Sequence, residues 1–422
     1  MTFLDMAVCL CVSLGMTSAE PSDAQVRQFL SNSYYYSTQE WQASLSSMNE
    51  KFASKQRFAE RLVGFLNDDD THVRQGVLLA IIELKANKAS LISPVVRVLK
   101  EDKDIQARIY AVDALHSIAG KESLKHVLSA LNDKNANVRA EALQVFGREA
   151  SSSTAYVGKL RDMLSDDGEY SYSISADCFG ARPVKYEAVV ALGTIGPEAR
   201  ICLPELREMY ANDSDPSVRI AAAVAVAQLD KEDVKAIRYL KNEAERATSD
   251  DYRYGAIVGL QRFGNRASII APILKKLLKS DPSWLIRAGC SDALPAVNGF
   301  GEDTVGALVE ALDDREPWVQ MSVLESLKAM GFHAAKAVPA VEKLLDKYSK
   351  MPEEDLPYGG DDIRVQIVAT LLAVGKRESV EPIVHRILRR VKDEETRSDI
   401  QELLSRPSQK PSNAPVADQP KP

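Results

Sequence analysis

The chain has 422 residues, of which 27% are charged, and a formal net charge of −7 with both signs interspersed. Nucleic acid, whose phosphates call for a basic face, is therefore not an expected partner. Hydrophobic residues make up 45% and aromatics only 6%, which is enough for a folded core and favours helix over strand.

The first expected element is the apolar run from Ala7 to Met16. It is too short to span a bilayer. It has the size of a signal-peptide core, and small residues at Thr17–Ala19 follow it. No Lys or Arg precedes the run and Asp5 does, so a docked N-terminal helix is the competing reading. Residues 1–19 are read as a signal peptide and 20–56 as an N-terminal helical cap, which implies an exported, periplasmic or secreted, protein. The five cysteines, Cys9, Cys11, Cys178, Cys202 and Cys290, form no CxxC pair and suit neither a zinc site nor a stapled fold. Cleavage would leave an odd number of them, and whether Cys178 is free stays open.

From residue 57 a repeat begins. Ten units align on Val73, Ala107, Val138, Val184, Val218, Tyr252, Ile286, Val319, Ile363 and Thr396. Their spacing stays near 33 residues except for two intervals of 46 and 44, as in a solenoid with two insertions. Apolar or small residues recur four, seven, eight and eleven places after each first position, as with Ala222, Ala225, Val226 and Leu229. That spacing is one face of an α-helix. Glycines then stop the helix at Gly193, Gly196, Gly264, Gly331 and Gly375. Pro94, Pro204, Pro272, Pro339 and Pro382 are expected in the first turn of a second helix, where a missing N–H costs nothing.

The insertions fall at 165–183, with Tyr170, Tyr172 and Phe179, and at 347–362, with Tyr358. Both are assigned between the first and second helix of a unit, projecting from one edge. They are either partner-binding loops or covers. Two and six places after the first position, three consecutive units carry Tyr186 with Val190, Ile220 with Val224, and Tyr254 with Val258. These pairs are expected to form an apolar ridge that meets a partner or lies under the first insertion. Residues 406–422, rich in Pro and Ser, are expected to be a disordered tail.

The Asp-rich turn, the Val-Arg pair, the Ala four places on and the Ala-Leu-Gly that follows resemble the HEAT-repeat family, in particular the short bacterial type found in phycobilin lyases. The resemblance covers 57–405. It implies an all-α, right-handed α-solenoid of about ten helix pairs. It also implies that the basic residues after the first positions, Arg74, Arg108, Arg139, Lys185, Arg219, Arg253, Arg287, Arg364 and Arg397, form a structural ladder with the turn aspartates. Arg can fork to a carboxylate or to a turn carbonyl of the adjacent repeat. A basic stripe for an acidic ligand is the alternative.

No catalytic, metal or cofactor motif is found. The five histidines make no HxxxH pair, and none is followed by Glu. The expected function is a non-enzymatic protein-interaction scaffold outside the cytoplasm, with protein partners, no nucleic acid and no membrane span. The alternatives are a phycobilin or tetrapyrrole lyase-like protein and a structural spacer.

Overall fold

A computed structural model describes residues 20–405, apart from 33–37, 53, 86–88, 176–177, 353–354, 357–362, 376, 390 and 392. The leader expected over 1–19, the tail expected over 406–422 and Tyr358 lie outside the described residues, as do the side chains of Tyr172, Cys178 and Phe179.

The chain is an α-solenoid that divides into two units, residues 1–205 and 206–422. The first opens with α1 Asp23–Ser31, α2 Thr38–Glu50 and α3 Lys55–Val63. Helix pairs follow: α4 Thr71–Leu84 with α5 Ala89–Glu101, α6 Ile105–Ala119 with the short α7 Leu124–Val127, and α8 Ala136–Arg148 with α9 Val157–Asp162. Strands β1 Glu169–Ser175 and β2 Cys178–Pro183 precede α10 Lys185–Ile195, and α11 Leu203–Asn212 crosses the boundary. The second unit pairs α12 Pro216–Leu229 with α13 Val234–Arg246, α14 Asp250–Phe263 with α15 Ala271–Ser280, and α16 Trp284–Asn298 with α17 Glu302–Ala311. It continues with α18 Pro317–Met330 and α19 Val338–Ser349, then α20 Ile363–Val374 and α21 Arg377–Leu388, and ends with α22 Glu394–Ser405. The tenth repeat, aligned on Thr396, thus supplies one helix among the described residues rather than a pair.

Helix α12 shows why these segments fold as they do. Asp215 caps it by accepting the Ser217 N–H, and Pro216 occupies the first turn, where it costs no hydrogen bond. Ala222, Ala225, Val226 and Leu229 are buried, and the alanines let neighbouring helices approach closely. Gly196, at φ 87° after α10, and Gly264, at φ 61° after α14, adopt a backbone that side chains other than glycine's rarely take. Gly193, expected as a stop, instead lies buried inside α10. The prolines also split. Pro204, Pro272 and Pro339 sit second in α11, α15 and α19. Pro94 and Pro382 lie within α5 and α21, because there the lead-in turn is itself α-helical. Before Pro204, Pro272 and Pro339 that stretch is a 3₁₀ turn.

The insertions connect the second helix of one pair to the first helix of the next, α9 to α10 and α19 to α20. This corrects the expectation that they split a pair. The sequence spacing measures the distance between first helices and is blind to where in the interval the extra residues lie. Within the first insertion, β1 and β2 pair antiparallel from Glu169 opposite Pro183 to Ser175 opposite Cys178, with an irregularity between Ser173 and Ser175.

Candidate interaction surface

The arginine after each first position has two jobs. In the first unit, Arg74 Nη1 donates to its own turn, at the carbonyl of Asp68 six residues back (2.8 Å), and its Nε and Nη2 fork onto Asp102 of the next repeat. Arg108 repeats this with the Asp102 carbonyl and the Asp133 carboxylate, and Arg139 with the Asp133 carbonyl and the Asp166 carboxylate. Each carboxylate also accepts the backbone N–H two residues on, as Asp102 does from Asp104. Burial opposes ionisation of Asp102, but the Arg74 fork and that N–H prevail and hold its carboxyl below the usual range. Asp133, Asp166 and, in the second unit, Asp314 are held down in the same way. Arg27 of α1 extends the chain of pairs to Asp68.

In the second unit the ladder is uneven. Arg253 pairs with Asp281, and Arg287 forks onto Asp314 at 2.7 and 2.9 Å. Arg219 bonds the carbonyls of Asp213 and Ser214 but meets the Tyr239 hydroxyl in place of a carboxylate. The cause is in the sequence: the place 28 residues after Arg219 is Ala247, whereas 28 after Arg253 is Asp281. Gln320 takes the arginine position in α18, donates to the Asp314 carbonyl and accepts from the Tyr348 hydroxyl. Lys185 pairs with Asp167 at the base of the first insertion. Arg364 is buried and contributes to lowering the Asp393 carboxyl, after the Thr396 N–H and side chain. Arg397 donates to the Val391 carbonyl. Apart from Arg253, whose Nε donates to the Ala244 carbonyl within α13 of the preceding repeat, the carbonyl partners thus belong to each residue's own turn.

The β-hairpin is anchored from both ends. The Val184 N–H donates to the Gly168 carbonyl at 2.8 Å and the Lys185 N–H to the Asp166 carbonyl at 2.9 Å, so the chain leaves and re-enters the stack at one point. Tyr170, a candidate for partner contact, is instead buried at 4% exposure, and its hydroxyl donates to Glu187. Burial raises the Glu187 carboxyl, against the Tyr170 and Gln144 hydrogen bonds. Arg182 of β2 lies over the Tyr186 ring, 4.5 Å from its centroid, so the hairpin covers one face of that candidate. On the neighbouring helices, Arg148 joins Asp113 (3.0 Å) to Glu141 (2.6 Å). Burial first, and the nearby Asp113 second, push Glu141 up to about 7 against Arg148.

The apolar ridge is not an open surface. Ile220 is 5% exposed, and it and Val224 pack against α14, where a Cβ added at Gly255 or Gly259 would lie 3.4 or 2.7 Å from them. The Tyr254 ring covers Gly289 of α16 in the same manner. These side chains face the next first helix, and the facing glycines make room for them. Val258 is half-buried, and Val190, on the first unit, is exposed.

Apolar exposure lies elsewhere. Along the second unit, four successive repeats carry one outward hydrophobe between the end of the first helix and the first turn of the second: Val234, which begins α13, then Ile269, Phe300 and Phe332, exposed by 62%, 81%, 43% and 49%. The Phe300 ring lies 5.5 Å from that of His333 in the next repeat, so the row is continuous there. At the opposite ends of the first helices, Trp284 is the first residue of α16 and Trp318 the second of α18. Their ring centroids are 6.4 Å apart. Sequence reasoning passed over both groups because it followed the helix faces. The available signal was a large hydrophobe directly after a helix-stopping glycine, as in Gly299-Phe300 and Gly331-Phe332. Among the described residues no cluster of three His, Cys, Asp or Glu side chains suits a metal ion, and no helix is long and apolar enough to cross a membrane.

The HEAT-repeat family model matches residues 92–174, 181–261, 237–328 and 270–350, more than half of the chain. The chain belongs to the HEAT-repeat family. Among solved structures, this HEAT-repeat chain is similar to yeast importin-beta (Kap95p), at 14% identity and a TM-score of 0.59 over 96% of this chain and 57% of that one. It is also similar to Kap121p bound to Ste12p, at 14% identity and a TM-score of 0.55 over 90% and 48%. The chain thus spans about half the length of these relatives, and the likeness shows the fold alone. The CpcE and CpcF complex of phycocyanin lyase from Nostoc sp. PCC7120 matches at a TM-score of 0.39 and 15% identity, over 68% of this chain and 94% of that one, too slight a likeness to carry the lyase reading. No curated protein matches in sequence.

Proposed function

We propose that this chain is a non-enzymatic protein-interaction scaffold that works outside the cytoplasm. One observation carries the reading: the row of Val234, Ile269, Phe300 and Phe332, outward in four successive repeats. They fall 16, 17, 14 and 13 places after Val218, Tyr252, Ile286 and Val319, each past the end of a first helix, and apolar side chains that recur there give an extended partner a line to follow. Exposed aromatics dominate such contacts because they bury large area at low entropic cost. The solenoid supplies rigid spacing, and the partner's own apolar residues would take up the pitch of the repeat. The setting rests on the apolar run at Ala7–Met16 and the small residues after it.

Crosslinking and capture from the native host tests the surface. Phe300→Ser with Phe332→Ser is expected to lose the partner while keeping wild-type helicity, since both rings are already about half in water. Equal capture by the double variant would remove the row as the site, and capture of nothing by wild type would favour a spacer. Mass spectrometry of the same preparation is expected to find an N-terminus near Glu20; an intact Met1 in a cytoplasmic fraction would overturn export.

A further inference from the structure

The second exposed aromatic group, Trp284 with Trp318, lies at the helix-start edge, away from the proposed partner row. Trp284 is 44% and Trp318 54% exposed, with interplanar tilt 32°. They stand on adjacent first helices in nearly the same repeat position, two and one places before Ile286 and Val319. At the place just before the first position, five of the seven earlier repeats carry a polar residue, His72, Gln106, Asn137, Ser217 and Asp251, and the other two carry Pro183 and Leu285. Two half-exposed indoles side by side form a small apolar platform.

We propose that this platform is the intramolecular docking site of the chain's own proline-rich segment 406–422, seated at Ala414-Pro415-Val416-Ala417. That run is the only apolar stretch in a segment that carries Pro407, Pro411, Pro415, Pro420 and Pro422. Proline-rich segments favour an extended helix of about 3.1 Å per residue and dock on aromatic side chains with little ordering cost. Reach permits it. Helix α20 packs between α18 and α22, so α22 lies two helix spacings, roughly 20 Å, from α18. Even with the full length of α22, about 18 Å, separating Ser405 from the platform edge, the straight distance is about 27 Å. The ten residues from Ser405 to Pro415 span about 31 Å in extended form. The inference does not depend on the partner row or on export.

The chain has three tryptophans, and the third, Trp41, is only 5% exposed, so intrinsic fluorescence reports on the platform. In the proposed state, deleting 406–422 raises acrylamide quenching roughly twofold and shifts emission to the red, because two covered indoles become half-exposed. A fluorescein-labelled 406–422 peptide then binds the truncated protein. With an effective concentration on the order of millimolar for a short linker, a peptide Kd of about 0.1 mM corresponds to a platform about nine-tenths closed in the full chain. Trp318→Ala, at an exposed position, should weaken the peptide about tenfold or more with unchanged helicity. Full-length protein carrying Pro415→Gly and Val416→Ser is expected to quench like the truncated chain. Equal quenching of full-length and truncated protein, or a flat peptide titration to about 1 mM, overturns the proposal. Protection that disappears on roughly a hundredfold dilution would overturn the intramolecular form and assign the cover to a second copy.

Discussion

At the scale of single residues, the ladder arginines are not equivalent. Arg287 is 3% exposed and holds the half-buried Asp314 carboxylate as well as its own turn. Arg287→Ala strands Asp314, so a loss of about 3 kcal/mol is expected. Arg219→Ala surrenders only bonds to carbonyls and a long contact to Tyr239, and should cost about 1 kcal/mol. Urea midpoints of the two variants check the order, and equal losses would mean the carboxylate fork adds nothing. Glu141 bears the opposite sign. Its folded value of about 7 lies above the ordinary 4.5, so the folded state holds its proton more tightly than the unfolded state does. Stability from this group is fully present below the ordinary value and is lost as pH rises to about 7, an effect on the order of 2 kcal/mol. Glu141→Gln should therefore gain on wild type most clearly above pH 7. A parallel pH profile for the two proteins would remove the effect.

At the scale of elements, neighbouring first helices are fitted by pairs of one large and one absent side chain. A Cβ at Gly289 would come within 2.8 Å of the Tyr254 ring, so Gly289→Ala should cost about 1–3 kcal/mol by overpacking. Tyr254→Ala alone should also destabilise, and the double variant should recover part of the sum, a coupling that a double-mutant cycle measures directly. Additive losses would show that ring and glycine act independently. This pairing also marks where sequence reading stopped. The repeat period, the helix starts and the Arg–Asp frame were legible because they recur at fixed spacing and follow from local capping and periodicity. The sides of the first helices were not. Ile220 and Tyr254 lie away from the periodic core face, and nothing local tells that the next helix carries Gly255 and Gly289 opposite them. The β-hairpin was missed for a related reason: Glu169–Ser175 alternates serine with tyrosine, and its inward side chain, Tyr170, is settled by a partner 17 residues away, Glu187.

At the scale of the whole molecule, the ladder sets a shared acid limit. Asp68, Asp102, Asp133, Asp166 and Asp314 all have carboxyls lowered below 3.8. The stability they give is complete above that value and disappears as pH falls through their folded values. Denaturant midpoints should decline from about pH 5 to about pH 3, with a shallower decline for Asp133→Asn; an unchanged slope in that variant would separate acid sensitivity from the ladder. The clasp at the hairpin base has a different consequence. Arg139 reaches Asp166 before the excursion starts, and Val184 and Lys185 close onto Gly168 and Asp166 when it ends. The stack therefore registers where the chain returns and not how far it travelled. Loop length enters only logarithmically, with each doubling costing about 0.6 kcal/mol. The stretch between Ser171 and Arg182 is in effect a socket, in which a foreign hairpin or a short epitope with closely spaced ends can replace the native one while Tyr170 keeps its bond to Glu187, Arg182 its place over Tyr186 and the helices on either side their register.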